Sequence, residues 1–471
     1  MKKNKAFVYF FICSIIHNGI SIITTPIFTR IMTPEHYGRY NVFISWFTII
    51  NVIVSLSLSQ GIYHQGLVKY ESESKKYSFS IQLLTTLLVI LWFIVYLFFR
   101  NTINNQLGFS TFHLVCLFIM IWTNAIFLLW SNEQRLLGIY KYLLVVTISL
   151  NIIKSTISVI AVLISDDKVL ARIASATFVE LVFCLIIFLC YLIKNYKCFD
   201  INVWKYVIAM AIPLLPHYLS QIVLSNSDRI MIGKMMNDSY AGIYSLAYSL
   251  SLVMLIINNS IVQTINPWFY RSIKEKKLTD ISKVTYFFMI VIALANIVLM
   301  LFAPEIVRLF APVEYYEAIW VIPPISMSVY LMFMYDLFAK FSFYYEKTVL
   351  IMMASLIGAV LNVILNYIFI PIMGYYAAGY TTLFCYFVYV LCHFVIMNTL
   401  CKIKLNGDKP YSLKVLVSIT AIFMISGAII LVSYYYVLLR ILLIFTIVLL
   451  AILLRKKLLD SFKSIMDIIS L

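Results

Sequence analysis

A lysine at position 154 stands in the middle of an otherwise apolar run, and the residues around it set what it could do. Thr147, Asn151, Lys154, Ser155 and Ser158 fall within about 100° of one another on a helix of 3.6 residues per turn. An ammonium group flanked by an amide and hydroxyls is suited to an anionic ligand, since the charge is neutralised and the remaining oxygens find donors. The same arrangement suits a structural ion pair, with Glu180 of the next apolar run as the acid. Glu180 is also the acid best placed to hold a coupling ion or proton inside a membrane.

Three further runs carry polar stripes. Ser14, Asn18, Ser21 and Thr25 share a face, with His17 and Thr24 at its edge. Tyr244, Tyr248, Ser251, Asn258, Asn259 and Asn266 align in another, and His217, Gln221 and Asp228 in a third, where Pro213 and Pro216 disturb the phase. Small hydroxyls and amides also glue membrane helices together, so each stripe has a packing reading beside a binding one. Arg30 and Arg229 add cations near the ends of their runs. Asp336 and Lys340, four residues apart, can neutralise each other on one helix.

Catalytic patterns do not occur: there is no His-Glu-x-x-His, no Walker loop and no Gly-x-Ser-x-Gly. The 8 cysteines are scattered singly, without a Cys-x-x-Cys pair, and the 6 histidines lie far apart. We therefore expect no enzyme, no catalytic residue, no metal and no cofactor, and read the cysteines as small buried hydrophobes.

The elements that must position these groups follow from composition. The chain of 471 residues is 63% hydrophobic and 12% charged, with mean hydropathy +0.96. A soluble protein of this size needs far more charge to cover its surface. Apolar runs of about 20 residues, enough to cross a ~30 Å hydrocarbon core, recur from end to end. The expectation is an all-α polytopic membrane protein of about 14 transmembrane helices. They fall at about 6–28, 42–65, 79–99, 110–131, 143–165, 169–192, 206–226, 241–268, 284–302, 319–340, 348–370, 377–400, 414–437 and 440–457. The first is read as a retained helix, since its run is long and lacks a small-residue cleavage site. Residues 226–234 read as a short charged hinge.

The net charge of +16 could suggest nucleic acid, but its distribution assigns it elsewhere. With a cytoplasmic N-terminus, 26 of the 36 Lys and Arg fall in inside segments, the bias that orients membrane helices. An even count places both ends in the cytoplasm, and no nucleic-acid partner is expected.

A faint internal repeat runs through the chain. His17, Arg30-Ile31-Met32 and Gly38-Arg39-Tyr40 are echoed by His217, Arg229-Ile230-Met231 and Gly242-Ile243-Tyr244. Both copies begin from the same side, so the repeat is parallel, one of the plans on which transporters are built.

Ile212-Pro213, Pro216-His217, Asn226, Asp228-Arg229, Gly233 and Ala241-Gly242 resemble the central signature of bacterial polysaccharide flippases. These form the Wzx-type, polysaccharide-biosynthesis branch of the multidrug/oligosaccharidyl-lipid/polysaccharide exporter superfamily. Pro26, Arg30 and Tyr37-Gly38-Arg39-Tyr40 are similar to the end of that family's first helix. Asn362, Asn366, Pro371, Gly374 and Ala377-Ala378 resemble its eleventh-to-twelfth junction.

The resemblance implies two six-helix bundles, residues 1–200 and 201–405, with two added C-terminal helices in 406–471, enclosing a V-shaped cavity. The implied substrate is an undecaprenyl-diphosphate-linked oligosaccharide repeat unit, moved from the cytoplasmic to the periplasmic leaflet of the inner membrane. It would feed the O-antigen of lipopolysaccharide, or capsule, beside a polymerase and a chain-length regulator. By helix phase, Lys154, Arg30 and Arg229 are candidates for the diphosphate, and Asn18, Asn151, Asn258 and Asn259 for the sugars. An exporter of cations or drugs from the same superfamily is the alternative, though its cavity would need acids where this chain has Lys154. A membrane glycan polymerase fits less well, because the outside loops are short.

Overall fold

The computed structural model describes residues 20, 22–70, 73–195 and 199–470; helices stand at thirteen of the expected positions, and of the first, expected over 6–28, only the end lies within the described residues, where it is helical from Ile22. Asn18, with Ser14, His17 and Ser21, lies outside the described residues. Among those described, 11 helices are long and apolar enough to cross a membrane. The other three positions hold α1 (Ile22–Ile31), α2 (Pro34–Ser55) and the apolar start of the last helix (Val437–Leu450). The protein is a multi-pass, all-α membrane protein.

The chain forms two compact units, Met1–Gly242 and Ile243–Leu471. In the first, α2 starts where Thr33 caps it: its hydroxyl accepts the His36 amide, and Pro34 occupies a position whose missing N–H costs nothing. The expected single span over 42–65 is broken. Leu56 and Ser57 turn left-handed, at φ 50° and 51°, and a short helix α3 (Gly61–Lys69) follows. Such backbone costs about 1 kcal/mol or more per residue, so the surrounding packing must hold it. Next come α4 (Ser74–Phe98), the short α5 (Arg100–Leu107), α6 (Thr111–Leu136), α7 (Tyr140–Ile164) and α8 (Lys168–Asn195).

The 35-residue helix α9 (Ile201–Met235) corrects the reading of residues 226–234 as a hinge. It runs unbroken through Pro213, Pro216 and the charged stretch, because buried neighbours such as Ser227 and Ile232 hold that turn in the helical path. At its start, the Asn202 amide and Lys76 hold the Asp200 carboxyl below the usual carboxylate range. Tyr63, Tyr77, Ile81, Leu129, Val207 and Ala211 bind α3, α4, α6 and α9 into one core.

The helix α10 (Asp238–Ser251) enters with its first residues in this unit. There the two copies of the repeat meet. A Cβ on Gly38 would lie 1.7 Å from the Asp238 carbonyl oxygen and 2.6 Å from the Gly242 nitrogen. One on Gly242 would lie 2.1 Å from the Pro34 carbonyl oxygen. Backbones this close admit only glycine, the device by which membrane helices approach each other. Arg39 ties the crossing down, pairing with Asp238 at 3.3 Å and donating to the Gly108 carbonyl at 2.9 Å.

The second unit continues with α11 (Val253–Lys274), α12 (Leu278–Leu301), α13 (Ala303–Phe310) and a 3-10 turn, Val313–Trp320. It closes with α14 (Ile322–Tyr344), α15 (Thr348–Met373), α16 (Tyr376–Lys404), α17 (Leu413–Ser433) and α18 (Val437–Ser470). α14 is buried almost all round and packs on α16 and α12, which makes it the centre of this unit. Within it Lys340 pairs with Asp336 at 2.6 Å, one turn away. The junction motif becomes a clamp between α15 and α16. Asn366 donates to Asn362 at 3.2 Å, Asn362 to Thr382 at 3.2 Å, and Thr381 to Asn366. Interhelical bonds of this kind contribute about 0.6 kcal/mol each in a membrane.

Candidate functional site

The polar stripe of α7 faces protein. Leu143, Thr147, Leu150, Asn151, Ser158 and Val162 are buried, while Ile152, Ile153, Ile157, Ile160 and Ile164 are exposed. Lys154 shares the buried side, one turn from Asn151 and from Ser158. Its Nζ donates to Glu180 Oε1 at 2.9 Å, across to α8. The other carboxylate oxygen, Oε2, accepts from Thr123 of α6 at 3.3 Å. Three helices thus converge on one charge pair, with side-chain exposures of 27% for Lys154 and 18% for Glu180. Cys184, a turn along α8 from Glu180, donates to the Thr123 carbonyl and closes the cluster.

Removing two charges from water is costly, and the attraction between them offsets this only with good geometry and satisfied lone pairs. Here both carboxylate oxygens have a donor. The arrangement can exchange partners: an anion reaching Lys154 would compete with Glu180, and a proton on Glu180 would release Lys154 to it. Asn151 donates to the Thr147 carbonyl at 2.8 Å, within its own helix, leaving its oxygen available to a ligand hydroxyl.

Other candidates lie elsewhere. Arg30 is exposed and donates to the Pro26 carbonyl at 2.8 Å. Arg229 is buried and donates along α9, to the Ser225 carbonyl at 3.3 Å and to Asn226 Oδ1 at 3.2 Å. None of these hydrogen bonds involves the Lys154 cluster. Asn258 and Asn259 belong to the second unit and part company there. Asn258 is buried, donating to the Val329 carbonyl of α14 at 2.9 Å, while Asn259 is exposed. The stripe from Tyr244 to Asn266 runs along α10 and α11, which meet at Leu252, itself helical in conformation, and Tyr244, Tyr248, Ser251 and Asn258 of it are buried.

Two participants were not anticipated. Thr123 was missed because one hydroxyl in an apolar run carries no signal until its neighbour across the helix is known. Arg172 of α8 is held between Phe28 and Tyr40, with its guanidinium carbon 3.7 and 3.6 Å from the two ring centroids. Beside it Lys168 caps the end of α1, donating to the Ile31 carbonyl at 2.7 Å.

The molecule is a multi-pass helical bundle with a charge pair held between three of its helices. Sequence comparison gives the family: residues 4–273 match the family described as polysaccharide biosynthesis protein, and the chain belongs to it. A protein of the Lsg locus of Haemophilus influenzae is 26% identical over 165 residues. That match takes in 34% of this chain and 40% of the relative's own length, well under two thirds of it.

Among solved structures, the lipid II flippase MurJ in an inward closed conformation superposes with TM-score 0.60 at 13% identity, covering 91% of this chain and 99% of that one. An inward-facing multidrug resistance MATE family transporter of the MOP superfamily gives 0.61 at 14%, covering 85% and 99%. A MOP superfamily transporter from Pyrococcus furiosus, described as having a binding pocket of reverse polarity, gives 0.53 at 13%, covering 84% and 95%. At these identities the likeness is one of fold.

Proposed function

We propose that this protein is a flippase for an undecaprenyl-diphosphate-linked oligosaccharide, carrying it from the cytoplasmic to the periplasmic leaflet of the bacterial inner membrane. The family match carries the reading, because it ties this transporter fold to polysaccharide biosynthesis. Lys154 supports it chemically. A diphosphate needs a cation, and a protein-facing lysine beside Asn151 and Ser158 offers both a charge and partners for sugar hydroxyls. Arg30, Arg229, Asn18, Asn258 and Asn259 complete the set we assign to the substrate, and Glu180 holds the lysine in its absence. The working division is two six-helix bundles, 1–200 and 201–405, and two added helices in 406–471. Both termini are cytoplasmic, and a polymerase and a chain-length regulator of O-antigen or capsule act on the product.

Deleting the gene tests this. Lipid-linked repeat units are expected to accumulate on the cytoplasmic leaflet while surface polymer is lost, and the intact gene restores polymer. Undiminished polymer in the deletion strain removes the reading. Glu180 on the same helix pair favours the second reading, an exporter of cationic drugs, and this is distinguished by drug resistance in place of a polymer defect.

A further inference from the structure

The last helix, α18, has 34 residues, a length of about 51 Å and well beyond the ~30 Å core it has to cross. Hydropathy ends its span near residue 457 and sends the basic residues there into water. The structure keeps them against the bundle. At one end Arg440 pairs with Glu305 of α13. Further along, the ring of Phe462 lies 6.3 Å from that of Phe287 in α12, and Ile465 is buried. Ile468 then lines a small pocket with Trp268, Ser272 and Asp280, at the α11–α12 turn. α18 therefore runs antiparallel to α12 down its length.

That register places two cations at membrane depth. Phe287 lies three residues inside the apolar part of α12, which begins at Val284. Arg455 and Lys456 precede Phe462 by about two turns, so they stand about 10 Å nearer the bilayer middle. Helical side chains lean towards the N-terminus, which in α18 is the Glu305 end, so both lean away from the water at the α11–α12 turn. Arg455, Lys456 and Lys463 are exposed. None of them makes an ion pair or a side-chain hydrogen bond among the described residues, not even Lys456 with Asp460, one turn on. Unpaired cations at that depth are costly among acyl chains and need a phosphate to meet them.

The face that carries them has the composition of a lipid-surface helix. At 100° per residue, Phe462, Arg455, Met466, Leu459, Lys463 and Lys456 follow one another over an arc of about 120°. All six are exposed, while Ile465 and Ile468 turn the other way, towards α12 and α11. Cations interleaved with large apolar groups take anionic headgroups by their phosphates while the apolar groups enter the acyl region. Arg455 and Lys463 are about 12 Å apart along the axis, which suits a row of separate headgroups better than one diphosphate.

We propose that the exposed face of α18 from Arg455 to Met466 is a binding surface for anionic glycerophospholipids. Their phosphates neutralise Arg455, Lys456 and Lys463 and hold the end of α18 against α11 and α12. The surface does not rest on the flippase reading; only its placement in the cytoplasmic leaflet rests on the orientation assigned above.

The test is native mass spectrometry of the full-length protein, titrated with phosphatidylglycerol or with zwitterionic phosphatidylcholine of the same acyl chains. The wild type is expected to bind phosphatidylglycerol at least about tenfold more tightly. Each cation at an anionic surface contributes about fivefold, so the triple variant Arg455→Gln, Lys456→Gln, Lys463→Gln is expected to lose the preference. The triple variant Lys402→Gln, Lys404→Gln, Lys409→Gln, which removes the same charge from exposed positions elsewhere, is expected to keep it.

No preference in the wild type, a preference kept in the first variant, or one lost equally in the second overturns the proposal. Should the first variant fail to fold, Lys463→Gln alone is expected to weaken phosphatidylglycerol about fivefold, and an unchanged affinity overturns it. Undecaprenyl diphosphate that displaces phosphatidylglycerol from the wild type well below equimolar amounts assigns the surface to the lipid carrier and overturns it too. A lipid preference that behaves as expected, in a protein whose deletion leaves surface polymer undiminished, removes only the flippase reading.

Discussion

Lys154 and Glu180 can be separated as a packing device and as a binding device by a double-mutant cycle. At 2.9 Å and an effective dielectric constant of about 20, the attraction is about 6 kcal/mol before desolvation, which cancels most of it. Removing one partner strands the other. Lys154→Met leaves Glu180 with Thr123 as its donor, and Glu180→Leu leaves Lys154 with no acid. Stranding a buried charge costs about 3–5 kcal/mol. The partial exposure of both side chains places each single variant at about 3 kcal/mol.

The double variant replaces the pair by apolar groups of similar size and is expected near wild-type stability, a coupling of about 6 kcal/mol, the two single costs together, because each single variant strands a buried charge that the double variant removes. The assay is apparent melting temperature in nanodiscs, read beside surface polymer in a deletion strain. Stability returns in the double variant, but polymer does not, because the cation for the diphosphate is gone. Recovery of polymer with stability would refute Lys154 as a substrate ligand and leave the pair as packing alone. Single variants as stable as the wild type would refute the pair itself.

Two further outcomes follow from the same structure. Gly38→Ala and Gly242→Ala drive a methyl into the carbonyls of Asp238 and Pro34 and are expected to cost about 1–3 kcal/mol or more each. Gly108→Ala, left-handed at φ 76° but in open space, is expected to cost only about 1 kcal/mol, so equal melting shifts at all three positions would sink the crossing as described. For orientation, a reporter enzyme fused after Lys277 is expected to be active only as a cytoplasmic fusion, and periplasmic activity there would reverse the assigned topology.

Much of this fold was legible in the sequence because insertion into a bilayer is close to a local sum. Each apolar run carries its own decision to cross, and charged residues between runs bias its direction. That sum also assigned the lysine to an interior face, since the rest of α7 is nearly all Leu, Ile and Val. It failed where packing overrode composition. Residues 226–234 carry charges and read as a hinge, yet α9 continues through them. The run at 42–65 reads as one span, yet it turns left-handed at Leu56.

By itself, the sequence determined the class of the protein, where most of its apolar helices run, its family and the presence of polar stripes. These depend on residue type and on spacing along one helix. Only the tertiary structure decided that Lys154 meets Glu180 and Thr123, that Gly38 lies against Gly242, and that Glu133 near the end of α6 is buried. The physical reason is that a polar group's partner stands on another helix. Which residues face each other there is set by the register and depth of packing between helices, and hydropathy along one helix contains neither.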